Sequence, residues 1–105
     1  DVGLRIFSSA IPILKGVRDL SETGYIPGGL YRNRDFRIAL VEKAPSCPDW
    51  IFDVCFDPQT AGGLFFSLPA AKAQSLVETM HVAGITNAAI VGDVTSEHPG
   101  RIFME

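Results

Sequence analysis

The chain has 105 residues, which is enough for one domain and too few for two ordinary ones. Apolar residues make up 47% of it and charged residues 20%, a balance typical of a globular domain and not of a disordered chain. The net charge of −3 and the lack of any apolar run near the roughly 20 residues of a membrane span argue against nucleic acid and a membrane as partners, and we expect a cytoplasmic protein.

The first forty residues predict one strand followed by short helices. Residues 2–7 alternate apolar with mixed side chains, as expected of a strand with one buried face. The apolar spacing in residues 17–23, followed by Gly24, predicts a short helix that ends at a glycine cap. The Pro-Gly-Gly within residues 25–33 predicts a loop. Residues 35–41 favour another short helix, although their second half would serve equally well as a strand.

The middle of the chain predicts a helix and then a buried strand. Pro48 and Asp49 suit the start of a short helix over residues 48–56, because proline lacks an N–H that would need a partner and a negative charge suits the helix dipole. The aromatic residues of this segment, Trp50, Phe52 and Phe56, are expected in the core or at an interface, since base stacking would need a basic surround. Residues 64–68 form a continuous apolar run, short enough for a central strand.

The last third of the chain predicts the clearest helix and two further strands. After Pro69, apolar residues recur at three- and four-residue steps until Gly84, as in an amphipathic helix. Residues 88–94 are typical of a buried strand, and residues 101–105 alternate like an edge strand. The sequence thus predicts a single α+β domain over residues 1–105, with about four strands in a mixed or antiparallel sheet and helices mainly on one face.

Outside one loop, few side chains are candidates for chemistry. Cys47 and Cys55 have no second cysteine pair or histidine nearby, so free thiols are favoured over a disulfide, and a metal site is favoured least. Asp49 and Asp53 lie four residues apart, but a solvated helix face is a commoner arrangement than an acid/base pair. His81 has no partner carboxylate at a useful spacing. We therefore assign no catalytic residue and no metal ligand to this chain.

The loop that stands out is Asp57-Pro58-Gln59-Thr60-Ala61-Gly62-Gly63-Leu64. Thr60 offers a hydroxyl and Gln59 an amide, while Gly62 and Gly63 can adopt conformations in which backbone N–H groups converge on an anion. The alternative is a plain turn, in which the missing Cβ atoms let another segment pass close by. Spacing alone favours the plain turn.

The same string resembles the Asp-Pro-Gln-Thr-Ser-Gly-Gly-Leu signature of the selenophosphate synthetases, also called selenide, water dikinases, with Ala61 in place of the serine. Other features follow in the family's order across essentially the whole chain. They are Ile11-Pro12 after the first strand, Pro27-Gly28-Gly29 with Asn33 in the middle, and residues 89–94 near the end.

The resemblance implies the C-terminal domain of such an enzyme, in the aminoimidazole ribonucleotide synthetase-like superfamily. In this family a separate N-terminal domain binds ATP and forms a homodimer. The enzyme converts ATP, selenide and water to selenophosphate, AMP and phosphate with Mg²⁺, for selenoprotein and selenouridine synthesis. The residues expected to face the active site or the domain interface are Asp57, Gln59, Thr60, Gly62, Gly63, Gly28, Gly29 and Asn33.

Other parts of the family pattern have no counterpart in these residues. The glycine-rich segment with the catalytic cysteine or selenocysteine and lysine, the Mg²⁺-binding aspartates and the Asp-x-Thr-Gly-Phe-Gly stretch are missing, and the chain begins at Asp1. We expect part of a longer enzyme, inactive alone and holding neither ATP nor Mg²⁺ by itself. One alternative is the C-terminal domain of another ATP-dependent enzyme of the superfamily, such as a thiamine-monophosphate kinase or a hydrogenase-maturation relative. The other is a non-catalytic ferredoxin-like sensor or dimerisation module.

Overall fold

The computed structural model describes residues 1–59 and 61–105, so the predicted site residue Thr60 lies outside the described part of the chain. The described strands are β1 (Gly3–Ile6), β2 (Val41–Lys43), β3 (Gly92–Thr95) and β4 (Ile102–Met104). The described α-helices are α1 (Val17–Glu22), α2 (Gly28–Arg37), α3 (Asp49–Val54) and α4 (Ala70–Val82), with short 3₁₀ turns at Ser8–Ala10 and Ile38–Leu40.

The four strands form one mixed sheet in the order β2-β4-β1-β3. β4 runs parallel to both β1 and β2, whereas β3 runs antiparallel to β1. The predicted α+β class and four-stranded mixed sheet are therefore confirmed. The prediction of an edge strand at residues 101–105 was wrong, because β4 lies between two neighbours, and pairing order is a long-range property that alternation within one strand cannot reveal.

The two faces of the sheet differ in character. Ile6 pairs in register with Met104, and Val41 with Ile102, so these apolar residues lie on one face. Helices α2 and α3 pack on that face, as predicted, through a core cluster whose helical members are Leu30, Ile51 and Phe52. The opposite face carries Arg5, Glu42, Asp93 and Phe103, where the Arg5 guanidinium pairs with the Asp93 carboxylate at 2.8 Å.

The buried core is centred on α3 and the residues next to it. Cys47, Ile51, Phe52 and Phe56 are buried, and the rings of Phe52 and Phe56 meet edge to face with centroids 5.3 Å apart. Trp50 is partly buried against the same cluster. Of the two alternatives predicted for these aromatic residues, core or interface, the core is confirmed for Phe52 and Phe56.

Two helices end at glycines, as their sequences predict. Gly24 after α1 has φ +87° and Gly84 after α4 has φ +88°, a left-handed conformation that glycine adopts without strain. The apolar stripe of α4 is less well packed than its periodicity predicts, since none of its residues is fully buried. Part of that stripe is therefore left without partners among the described residues.

The prediction of a loop at residues 25–33 was wrong, because α2 begins at Gly28. Glycine costs least in the first helical turn, where the N–H groups have no intrahelical acceptor anyway, and the φ of −66° at Pro27 suits a helix start. Burial of Leu30 then stabilises the turn. For residues 35–41 the helical prediction holds up to Arg37, where α2 ends before a 3₁₀ turn, and the strand alternative holds only at Val41, where β2 starts.

The prediction of a central strand at residues 64–68 was also wrong. These residues form no strand, and the side chain of Leu64 is 91% exposed. The strand that completes the sheet beside β4 is instead β2, which has three residues. The predicted strand over residues 88–94 starts only at Gly92 and continues to Thr95.

Candidate functional site

Two segments predicted to belong to a site, 24 or more residues apart in sequence, meet in the fold. The side-chain amide Nδ2 of Asn33, on α2, donates a hydrogen bond of 3.0 Å to the carbonyl oxygen of Phe56, which directly precedes the Asp57 loop. At Gly29 a Cβ atom would lie only 2.8 Å from Cγ of Pro58, so the absence of a side chain lets the Pro58 ring approach the helix backbone. Gly29, Asn33 and the start of the Asp57 loop thus form one surface.

The first turn of α2 supplies this surface with backbone donors. Its N-cap, Pro27, makes no side-chain capping hydrogen bond, and the first helical residues are Gly28 and Gly29. The N-terminal N–H groups of a helix carry partial positive charge and favour a negatively charged ligand. Gly28 is exposed, and a Cβ atom there would meet nothing within 4 Å. A phosphate-sized group can therefore approach this end of the helix.

The described part of the Asp57 loop has two notable features. The backbone turns sharply, with the Gln59 N–H donating to the Asp57 carbonyl at 2.8 Å. Oδ1 of Asp57 is buried without a hydrogen-bond partner among the described residues. A buried carboxylate oxygen is costly to leave unpaired, so an additional donor or cation at this point would stabilise the loop.

The two loop glycines lie in different surroundings. A Cβ atom at Gly62 would approach Oε1 of Gln59 to 2.7 Å, whereas one at Gly63 would meet nothing within 4 Å. Both glycines are exposed. Gly62 therefore leaves room for the Gln59 side chain, and Gly63 is not required by any described contact.

An ion pair fixes α2 against α3 beside the site. Nη1 of Arg34 lies 2.8 Å from Oδ1 of Asp53. The hydrogen bond to Asp53, and then its negative charge, raise the pKa of Arg34. Asp49 is paired elsewhere, with Nζ of Lys43 at 2.9 Å. The two carboxylates thus belong to separate ion pairs and form no acid/base pair.

Both cysteines are free thiols, as predicted. Cys47 is buried in the core cluster, whereas Cys55 is exposed and lines an apolar cavity together with Phe56 and Met104. Loss of hydration at this apolar wall, and secondarily the charge of Cys47, raise the pKa of Cys55 to about 11. A thiol with so high a pKa is a poor nucleophile near neutral pH.

The described residues do not by themselves fit a bound Mg²⁺. Within residues 1–59 and 61–105, no three His, Cys, Asp or Glu side chains gather closely enough to hold a metal ion. The unpartnered Oδ1 of Asp57 supplies at most one oxygen ligand.

Among the described residues, no helix is both long and apolar enough to cross a membrane.

The fold and the paired segments define an α+β domain in which an uncapped helix start adjoins a Gly-Gly loop. Comparison with known proteins finds relatives that match almost the whole of this chain. The chain is 38% identical over 103 residues to "Selenide, water dikinase" of Pelobacter propionicus, covering 98% of this chain and 30% of the relative. It is 38% identical to "Selenide, water dikinase 2" of Peptoclostridium acidaminophilum, covering 98% of this chain and 29% of the relative.

A third relative, "Selenide, water dikinase" of Caldanaerobacter subterraneus, is 34% identical over 107 residues. No protein-family model matches the chain. Over the length that it covers, the chain is similar to selenide, water dikinases, as the resemblance of residues 57–64 predicts. It spans about 30% of the length of these curated relatives.

Sequence reasoning missed the partners that join the two segments. Pro58 was part of the quoted string but not a candidate, yet its ring is the atom group nearest the Gly29 position. The carbonyl of Phe56 and the Arg34–Asp53 pair were missed as well. Every residue, whatever its side chain, offers the same backbone carbonyl, so the identity of Phe56 could not have indicated its hydrogen bond to Asn33. The charge of Arg34, next to Asn33, was the one feature of the sequence that could have indicated an ion pair here.

Proposed function

We propose that this chain is the C-terminal domain of a selenide, water dikinase, and that Gly28, Gly29, Asn33 and the Asp57 loop form one wall of its active site. The parent enzyme would convert ATP, selenide and water to selenophosphate, AMP and phosphate, for use in selenoprotein and selenouridine synthesis. An N-terminal ATP-binding domain of the same polypeptide would supply the other wall. The parent would be a cytoplasmic homodimer.

The observation that carries this proposal is the meeting of the two family segments. The Asn33 side chain bonds to the residue that precedes Asp57, and Gly29 admits the Pro58 ring. Two relatives that match 98% of this chain are named selenide, water dikinases. Two separate stretches of the resemblance therefore converge on one surface, which is the arrangement expected of a site and not of two unrelated turns.

The chemistry of the surface suits a phosphate ligand. The start of α2 offers backbone N–H groups and a positive dipole end. Phosphoryl transfer is catalysed mainly by positioning and by offsetting negative charge, so donors at a wall of the site would assist without any acid/base residue in this chain. Mg²⁺ in the parent would offset phosphate charge, held largely by residues outside this chain.

Selenide-dependent formation of AMP from ATP tests the proposal. The full-length product of the gene should release AMP only when selenide and Mg²⁺ are both present, and the 105-residue chain alone should release none. Robust selenide-dependent AMP release by the 105-residue chain would refute the claim that it is inactive alone. A folded full-length protein without this activity would favour another ATP-dependent enzyme of the superfamily or a non-catalytic module.

A further inference from the structure

An apolar cavity of about 600 Å³ opens over the helix-bearing face of the sheet. Its floor includes Ile6, Ile102 and Met104 of the strands, and its walls include Leu40, Phe56 and Phe65. Arg37 is the charged residue at its lining. We call this cavity the apolar groove; α2 and α3 leave it uncovered although it overlies the centre of the sheet.

An apolar groove over the centre of a sheet is unusual in a domain whose core is fully covered. A sheet buries its apolar face against another layer, and burial of each large aliphatic side chain stabilises a fold by about 1.5–3 kcal/mol. Here Leu40 is 46% exposed and Phe65 is 65% exposed, both at the groove. Helix α4 does not fill the space, since its own apolar residues are at most half-buried and none of them lines the groove. Contiguous exposed apolar surface marks an interaction site.

The length of the relatives points to what covers the groove. This chain matches about 30% of each relative, so about 70% of the relative's length lies outside the matched segment. We propose that an apolar segment of the same polypeptide, outside residues 1–105, packs into the apolar groove and completes the core of this domain. The inference rests on the proposed function, because it takes the chain to be part of an enzyme of that length.

Occupation of the groove would also support the candidate site. Phe56 lines the groove, and its carbonyl accepts the hydrogen bond from Asn33. A segment packed on the Phe56 ring would therefore restrict the residue from which the Asp57 loop begins. Phe56 thus takes part in both the apolar groove and the candidate site, and a segment that fills the groove would also order the start of the Asp57 loop.

Phe65 and its neighbour Leu64 provide a matched pair of variants. Phe65 lines the groove, whereas Leu64 is 91% exposed and does not. In the full-length protein, Phe65→Ser should lower the urea midpoint of unfolding clearly, and Leu64→Ser should leave it unchanged. In the 105-residue chain the two variants should differ little. Equal, small shifts for both variants in the full-length protein would overturn the proposal.

Cys55 provides a second readout that needs no substitution in the groove. It lines the groove and is exposed, whereas Cys47 is buried with 1% of its surface exposed. Maleimide labelling at mildly alkaline pH, followed by peptide mass spectrometry, should modify Cys55 in the 105-residue chain. In the native full-length protein the same thiol should react more than about tenfold more slowly, because labelling must wait for local opening. Equal rates in the two chain lengths would overturn the proposal.

Other occupants give different results. Protection of Cys55 in the 105-residue chain that rises with protein concentration would identify a second copy instead. Protection in the full-length protein that is lost when a small apolar molecule is extracted would identify a ligand instead. Either result overturns the proposal. AMP formation measured on the same samples separates the two claims, since an active protein with an open groove refutes only this inference, and a closed groove without activity refutes only the proposed function.

Discussion

The side-chain amide of Asn33 donates a hydrogen bond of 3.0 Å to the carbonyl oxygen of Phe56, across 23 positions of sequence. This contact joins helix α2 to the segment that follows α3. The interaction is partly buried, so the carbonyl would not be fully rehydrated if the amide were removed. It links the segment around Gly28–Asn33 to the segment that begins at Asp57.

Replacing Asn33 should therefore destabilise the fold. We expect Asn33→Ala to lower the free energy of unfolding by about 1 kcal/mol, the usual value for one partly buried hydrogen bond. Urea denaturation of the 105-residue chain measures it. Asn87→Ala is the control, because Asn87 is exposed in a turn and should change stability little. An identical effect of the two variants would show that the Asn33 contact contributes nothing.

The adjacent glycines of α2 should respond in opposite ways. Gly29→Ala places a Cβ atom 2.8 Å from the rigid Pro58 ring and should cost about 1–3 kcal/mol. Gly28→Ala meets nothing within 4 Å and should be neutral or stabilising by up to about 0.5 kcal/mol, because alanine loses less backbone entropy than glycine in a helix. Thermal unfolding of both variants gives the comparison. If the two behave alike, the Gly29–Pro58 approach does not constrain the fold.

In the full-length protein, the loop glycines should separate activity from stability. Gly62→Ala displaces the flexible end of Gln59, which can move at little cost to folding, so turnover should fall more than the unfolding midpoint. Gly62→Val should show the same pattern more strongly. Gly63→Ala, which meets nothing within 4 Å, is the matched control for steric displacement. Thr60→Val should also reduce turnover more than stability. Parallel losses of turnover and stability in the Gly62 variants would instead indicate a plain turn.

The raised pKa of Cys55 predicts a loss of stability at alkaline pH. The thiol has a pKa of about 11 in the folded chain against 9.0 ordinarily, so between these values the unfolded chain has released the proton and the folded chain has not. The folded state binds more protons in this range, and the free energy of unfolding must fall as pH rises from about 9 to about 11. The urea midpoints of the chain and of Cys55→Ala should differ by a constant amount below about pH 9, and the midpoint of the chain should fall relative to that of Cys55→Ala between about pH 9 and about pH 11. Midpoints that keep a constant difference up to about pH 11 would contradict the assignment.

Local patterns were sufficient for part of the fold. Gly24 and Gly84 end their helices because a left-handed residue at the cap is a local requirement. Proline and aspartate at positions 48 and 49 likewise mark the start of α3. The errors arise where distant contacts decide. Gly28 and Gly29 start a helix whose next residue, Leu30, is buried against distant parts of the chain, and residues 64–68 stay outside the sheet, in which β2 pairs with β4.

The sequence predicted which residues belong to the candidate site, but it did not predict how these residues are arranged in space. The resemblance selected Gly29 and Asn33 from one stretch of sequence and Asp57 from another. Nothing in either stretch indicates that the two stretches are in contact. The contact depends on a backbone carbonyl and a proline ring, neither of which has a recognisable spacing. Packing of α2 on α3, fixed by the Arg34–Asp53 pair, creates it.

Hydrogen exchange of the full-length protein with and without a non-hydrolysable ATP analogue and Mg²⁺ tests the central claim most directly. If the two segments form one wall of the nucleotide site, amides in residues 28–33 and 57–63 should exchange more slowly with the analogue bound. The turn at residues 96–100, which lies against Gly3 and Glu42, should be unaffected. Unchanged exchange in both segments, while other parts of the protein become protected by the analogue, would contradict the claim.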